Sequence, residues 1–423
     1  MKGKTTFSSL IENTIVRPCI SSDTPISFIT MSDISEKGRV IFATTKTMRD
    51  IKSGFTFFQK NDTIIAKITP CFENGKGCFL DKIKTQYGFG STEFLVLRAK
   101  NNIPPAFVFQ LSREPHFRLK MQSLMTGSAG QQRISFSDIL AYEWQHIPHD
   151  ATEQQHIADI LTSCDEVIEQ TEKAIAKYQA IKTGMLQDLF TRGVDANGKL
   201  RPTPEEAPEL YKDSPLGKIP KEWNVKTIGD IFTFKNGLNK GKEFFGFGSP
   251  IVNYMDVYHH TKITPSMLEG RVSLSNQEIQ NFAVSSGDVF FTRTSETPDE
   301  VGLAAVIIGD FKNTVFSGFV LRARPISSEL LDCFKQYCFR VDYLRKIIVM
   351  DCTYTTRALT NGTKLSKYNI IVPKHIEQRL IAQKLSAIDE KIAVEKQTLK
   401  KYISIKQGLM KRLLTPPEGA LEA

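Results

Sequence analysis

The sequence predicts an α+β chain built twice over: two strand-rich globular segments, each followed by one long helix. Three observations carry that expectation. A stretch of 39 residues recurs 224 positions later, and both copies carry a helical seam of apolar residues. The segments ahead of them are short alternating runs punctuated by Gly, Asn, Asp and Pro, the signature of strands and turns.

The repeat organises everything else. Glu153 to Thr191 aligns without gaps on Glu377 to Thr415, with 15 of 39 positions identical, among them Gln154/Gln378, Asp165/Asp389, Tyr178/Tyr402, Lys182/Lys406 and Gly184/Gly408. An offset of 224 is far too long for a solenoid and marks a duplicated half-protein. Ile157, Leu161, Ile168, Ile175 and Tyr178 lie on a 4-3 heptad seam, and Ile381, Leu385, Ile392, Leu399 and Tyr402 repeat it. So narrow a seam suits a partner helix better than a broad core, and these ten are the candidate helix-pairing residues. Thr171 and Glu395 place a polar residue at the same seam step, a feature that sets register in such pairs. Asp150 and Glu153 form a capping box at the first start, and Gly193 and Pro416-Pro417 stop the two helices. About 38 residues at 1.5 Å each give a rod of roughly 57 Å.

Ahead of the helices the halves are related more distantly. Lys60 to Thr69 matches Ser286 to Ser295, each a turn and a buried strand ending in a base and a hydroxyl. Ser32-Asp33 pairs with Met255-Asp256, and Phe89 to Phe94 with Val315 to Phe319. Ala106 to Met125 and Leu330 to Ile348 read as the few helices within the strand-rich segments. Gly193 to Trp223 holds five prolines and reads as an ordered surface connector. The expected organisation is a first domain at 1–149, a helix at 150–192, a connector at 193–222, a second domain at 223–373, a helix at 374–415 and a tail at 416–423.

Composition narrows the function classes. The chain has 423 residues, 41% of them hydrophobic and 24% charged, as in a soluble globular protein. No apolar run reaches the 18 residues of a membrane span, and the N-terminus lacks the apolar core of a signal peptide. Seven scattered cysteines without a C-x-x-C pair read as thiols of a cytoplasmic protein. The formal charge of +9 is uneven: +6 in residues 1–151, −3 in 152–192 and +5 in 377–415. Such a balance is compatible with nucleic acid without demanding it.

Catalytic signatures are missing. There is no Walker-type phosphate loop, no H-E-x-x-H and no metal-ligand spacing, and the glycine-rich Phe244 to Gly248 lacks the companions of a cofactor loop. One match competes: Asp299, Asp310 and Lys312 fit the acidic-x-Lys pattern of Mg-dependent nucleases, although an exposed hairpin with Asp310 in the turn and Lys312 starting the next strand explains the same residues. A coiled-coil adaptor without DNA contacts is the other alternative. What remains is binding chemistry. Lys67 and Thr69 in one half correspond to Arg293 and Ser295 in the other, donors suited to phosphates and base edges. The polar loop with Gln131, Gln132 and Arg133 has a rough counterpart running through Arg357 to Lys364, and Gln and Arg are the residues that read adenine and guanine bidentately. These nine are the candidate DNA-binding residues; no catalytic and no metal residue is assigned.

The same residues resemble a known family, the specificity subunits of Type I restriction–modification systems. The resemblance rests on the order globular–helix–globular–helix, on Pro148 followed by Glu153-Gln154 and Ile157-Ala158, and on Pro373 followed by Glu377-Gln378 and Ile381-Ala382. Gly184-Met-Leu, Gly408-Leu-Met and the connector Leu216 to Trp223 extend it over essentially the whole chain. Residues 1–27 lack a counterpart to the stretch around Trp223, and Gly237 to Gly248 is shortened in the first half. The resemblance implies two target recognition domains, each reading one half of a split DNA sequence, and two spacer helices forming an antiparallel coiled coil with pseudo-twofold symmetry. It implies a non-catalytic subunit that scaffolds two adenine methyltransferase subunits and a restriction/translocase subunit. S-adenosylmethionine, ATP and Mg belong to those partners, and this subunit holds no cofactor.

Overall fold

A computed structural model describes residues 4–414 except Ala129, His146 and Thr355. The Pro416-Pro417 stop and the tail at 416–423 lie outside the described residues. The chain forms two compact units, one from the residues up to Ala174 together with those from Glu395 onward, the other from Ile175 to Val394. Each unit therefore takes one globular segment and a piece of both long helices.

In the first unit a four-stranded sheet runs Thr44–Thr47, Pro25–Ile29, Tyr87–Gly90, Thr56–Gln59, with its central pair parallel. Thr63–Ala66 lies between Gly77–Phe79 and Phe94–Leu97 in an antiparallel three-stranded sheet. All four residues of Thr63–Ala66 are buried, which is why the sequence shows a continuous rather than an alternating run there. Two helices follow, Pro105–Ser112 and Pro115–Ser123, separated where Pro115 cannot continue the first and Glu114 caps the second by accepting from the Phe117 N–H. Phe7, Phe107, Leu111, Phe117 and Trp144 form the centre of this core, with Phe7 edge-on to Phe117 at 5.4 Å.

The second unit repeats the plan with a larger main sheet. A five-stranded sheet runs Phe232–Asn236, Val320–Pro325, Val289–Thr292, Ala304–Ile307, Lys262–Ile263. Phe245–Val252 runs parallel to Val315–Phe316, as Pro25–Ile29 does to Tyr87–Gly90. The helical pair is Asp332–Cys338 and Asp342–Asp351. Even the first residues find their counterpart. Thr5–Thr6 pairs with Glu143–Trp144 and leads into the short helix Phe7–Leu10, as Asn224–Thr227 pairs with Asn369–Val372 and leads into Ile228–Ile231. Residues 4–10 thus supply the opening strand and helix for which the sequence offered no match.

The long helices are Ala151–Thr191 and His375–Leu414. Asp150 accepts the Glu153 N–H at 2.9 Å, and Gly193 takes the left-handed conformation (φ 63°) just past the first helix. In the first unit Ile157 and Leu161, from the start of one helix, share a core with Met410 and Leu414 from the end of the other. In the second, Leu189 and Phe190 share a core with Ile381 and Leu385. Start packs against end in both, the antiparallel sense. One ion pair marks each contact: Lys406 Nζ to Asp165 at 2.6 Å in the first unit, Lys182 Nζ to Asp389 at 2.5 Å in the second. Asp165/Asp389 and Lys182/Lys406 are repeat equivalents, so each copy gives its acid to the other copy's base, the exchange an isologous interface requires. Gln110 and Tyr337, on corresponding helices, then donate to Asp165 and Asp389. Thr171 spends its hydroxyl on its own helix, donating to the Val167 carbonyl at 2.8 Å. Ile168, Ile175 and Ile392 are buried on the seam, while Tyr178, Leu399 and Tyr402 are half-buried.

The connector is more than a surface strap. Val194, Ile219 and Trp223 are buried in the second unit's core, and Tyr211–Ser214 forms a hairpin with Gly217–Pro220. Its anchor is Glu377, whose carboxylate accepts from Arg201 at 2.5 Å, Trp223 Nε1 at 2.9 Å and the Val194 N–H at 2.8 Å. No helix among the described residues is long and apolar enough to cross a membrane. All seven cysteines are free thiols.

Candidate nucleic-acid interface

The strand ending in Lys67 and the strand ending in Arg293 sit in the same backbone frame. Lys67 N donates to the Glu93 carbonyl and Ile134 N to the Lys67 carbonyl, both at 2.9 Å. In the second unit Arg293 N donates to the Phe319 carbonyl and Thr360 N to the Arg293 carbonyl, both at 3.0 Å. Next in line Thr126 exchanges backbone bonds with Arg133, as Thr353 pairs with Leu359. This frame sets the correspondence residue by residue: Lys67 with Arg293, Thr69 with Ser295, Glu93 with Phe319, Gln131 with Arg357, Arg133 with Leu359.

The frame is shared and the side chains on it are not. In the first unit Arg133 grips Glu93 through two nitrogens, each at 3.0 Å, and Lys67 Nζ stands 4.0 Å from the same carboxylate. The Arg133 hydrogen bond holds the Glu93 carboxyl below its ordinary range, with Lys67 adding to the effect. Thr69 Oγ1 accepts the Gln132 N–H at 3.0 Å, fixing the loop on which Gln131 is exposed and Gln132 half-buried. All five sequence-derived candidates of this half therefore converge.

In the second unit Phe319 replaces the acid and is 58% exposed. Arg293 reaches the Gly318 carbonyl at 3.5 Å while its Nε is buried without a partner. Ser295 donates to the Glu300 carboxylate. An open cleft of about 350 Å³ is lined by Tyr254, Ser295, Thr297, Glu300, Phe319 and an exposed Arg357. Lys364 is placed differently. It lies in the short helix Gly362–Leu365, capped by Asn361, and its ammonium donates to the Asp351 carbonyl and to Thr353 Oγ1. There it satisfies the carboxyl end of the helix Asp342–Asp351.

Two sets of residues that periodicity does not reveal support this frame. Asp62, 1% exposed, takes a bidentate bond from Arg98 at 2.9 and 2.8 Å, and Asp288, also 1% exposed, takes one from Arg324 at 2.8 and 2.7 Å. Each acid opens the strand that leads to Lys67 or Arg293. Four arginines on the helical pairs pin the loops beyond those strands through backbone carbonyls. Arg113 reaches Gly75 and Arg118 reaches Phe72; Arg340 reaches Ala304 and Arg345 reaches Val301. Burial pushes the Arg118 and Arg340 guanidiniums down to about 10, so both stay charged at neutral pH.

The nuclease candidates do not assemble. Asp310 and Lys312 face each other at 3.6 Å in an exposed turn, and Lys312 precedes rather than starts the next strand, Val315–Phe316. Asp299 sits in the turn Pro298–Glu300, where its carbonyl accepts from Arg345 at 2.7 Å. Among the described residues no group of three or more His, Cys, Asp or Glu side chains could hold a metal ion.

Comparison with known proteins points one way. Residues 220–403 match the family model of the Type I restriction modification DNA specificity domain. The specificity subunit of the Type I restriction enzyme EcoAI of Escherichia coli is 34% identical over 172 residues, 39% of this chain and 28% of that protein. That of the E. coli enzyme EcoEI is 32% identical over 149 residues, 34% of this chain and 25% of that protein. The aligned stretch therefore spans about a quarter of the length of these two relatives. The putative MjaX specificity subunit of Methanocaldococcus jannaschii is 25% identical over 346 residues, 78% of this chain and 72% of that one. Among solved structures, the S subunit of a Type I restriction–modification system from M. genitalium superposes with a TM-score of 0.57 at 17% identity, covering 98% of this chain and 96% of that one. A chain from a structure of type I R-M complex assembly gives 0.54 at 15% identity, with 97% of both chains covered. At such identity these two establish the fold.

Proposed function

The chain belongs to the family of Type I restriction–modification specificity subunits, and from that premise we propose that it reads a bipartite sequence in double-stranded DNA, one half-site per globular domain. The observation that carries this reading is the shared frame with unlike side chains: Lys67 and Arg293 occupy one backbone position, Gln131 and Arg357 another. Equal scaffolds bearing different donors are what reading two different half-sites calls for. The domains at 1–149 and 223–373 are the reading heads. Lys67, Thr69, Gln131, Gln132 and Arg133 act in one, and Arg293, Ser295, Arg357 and Lys364 in the other. The helices at 150–192 and 374–415, joined through their seam residues, act as a ruler that fixes the unread gap, as dimer geometry does for palindromic readers.

The subunit carries out no chemistry in this reading. It positions two adenine methyltransferase subunits, which bind S-adenosylmethionine and must flip the target base out of the helix. A restriction/translocase subunit brings the ATP and Mg. The assembly works in the cytoplasm. Sequencing methylated sites in a host that carries this chain with its methyltransferase should give two half-sites separated by a constant gap. A single continuous site would contradict the reading. Inserting one heptad into both helices should lengthen the tolerated gap, and an unchanged gap would remove the ruler from the account.

A further inference from the structure

Glu300 stands out in the second domain's cleft. Its backbone is held on every side: the carbonyl accepts from Thr292 Oγ1 at 2.6 Å, and Arg345 grips the carbonyls of Asp299 and Val301 on either flank. Its side chain is oriented too, since the carboxylate accepts from Ser295 and, at 3.2 Å, from the Tyr254 hydroxyl. Tyr254 is itself stacked on Tyr258 with ring centroids 5.9 Å apart. Among the described residues no cation forms an ion pair with Glu300, whereas Glu93 in the first domain is covered by Arg133 and Lys67. The first domain's counterpart on the equivalent loop, Glu73, leans on Gln122.

A rigid, uncompensated carboxylate in a cleft that approaches a polyanion is unfavourable unless the nucleic acid supplies a donor. An ionised carboxylate can only accept hydrogen bonds. In the major groove the donors on base edges are the amino groups of cytosine N4 and adenine N6. Arg357, exposed on the same cleft, supplies the complementary donor for guanine.

We propose that Glu300 is a specificity-determining residue of the second domain, accepting a hydrogen bond from an exocyclic amino group, cytosine N4 or adenine N6, at one position of that domain's half-site. The inference rests on the DNA-reading function above.

The test selects bound duplexes from a randomised library, using the full chain assembled with its methyltransferase subunits, for wild type, Glu300→Gln and Glu300→Ala. Wild type should demand cytosine or adenine at one position of one half-site. Glu300→Ala should relax that position by about tenfold or more. Glu300→Gln keeps acceptors for Ser295 and Tyr254 but adds a donor, so it should admit thymine or guanine there. Duplexes carrying 2-pyrimidinone for cytosine, or purine for adenine, lack the amino group and identify which base supplies it; wild type should bind one of them as weakly as a mismatch. A bipartite selection by wild type that both variants leave unchanged overturns the Glu300 assignment and leaves the DNA-reading function standing. No sequence selection by wild type overturns the function itself, and the assignment with it. Loss of all selectivity in Glu300→Ala together with a lowered melting temperature, while Glu300→Gln reads as wild type, makes Glu300 structural and overturns the assignment.

Discussion

The two globular domains agree where the fold needs them to and differ where DNA would be read. Asp62–Arg98 and Asp288–Arg324 are the same pair, a buried acid gripped by a half-buried arginine, at the same strand register. Just before each arginine's strand the identities part: a clamped Glu93 in one domain answers to an exposed Phe319 in the other, and in the neighbouring segment Arg133 answers to Leu359. The helix starts differ as well. Glu377 is a buried anchor for the connector, while Glu153, its identical partner in the repeat, is exposed. Sequence identity between repeats therefore does not mean equal duty, and equal duty does not need sequence identity.

The sharpest way to test that asymmetry is at the anchor. Glu377→Ala should destabilise the chain by about 3–5 kcal/mol in urea denaturation, because the half-buried Arg201 and the buried N–H groups of Trp223 and Val194 all lose their partner. Glu153→Ala should cost under about 0.5 kcal/mol, as an exposed residue should. Comparable losses would break the comparison. The conserved pairs come next. Removing Asp62 should cost about 3 kcal/mol and removing Asp288 somewhat less, since Arg98 keeps 16% of its side chain exposed against 35% for Arg324. Lys406→Ala and Lys182→Ala should each cost about 1–2 kcal/mol, similar to one another because they occupy equivalent places across the helix pair. The smallest effect is pH-dependent. Glu93 is held below the ordinary 4.5 by Arg133, so its contribution is complete above that value and is lost only as pH falls through the lower folded value. The Arg133 Nε resonance should accordingly hold steady from pH 8 to 5 and shift in acid; in Glu93→Gln that shift should be absent.

Much of this was legible in the chain. Heptad periodicity locates both long helices, because a seam that must face a partner over many turns constrains every third or fourth residue. The buried strands before Lys67 and Arg293 show as apolar runs for the same reason. The first domain's opening strand does not show, since Thr5 to Leu10 shares a role with Asn224 to Ile231 but hardly a residue. The buried arginines mislead in another way. Val96-Leu-Arg-Ala99 and Val320-Leu-Arg-Ala323 look like the matching tetrapeptides, yet strand register equates Arg98 with Arg324 rather than with Arg322. Arg322 instead donates to the Ala283 carbonyl and lies over the Phe316 ring. Hydrogen-bonding register is a property of paired strands, and a single strand's sequence does not contain it. Glu300 escaped for a related reason: only the folded loop brings it beside Ser295 and Tyr254.

Separate reading by the two domains is tested most directly by site selection on the assembled complex with Lys67→Ala and with Arg293→Ala. Each substitution should relax one half-site and leave the other, and the gap between them, as in wild type. Equal weakening of both half-sites by either substitution would contradict the account.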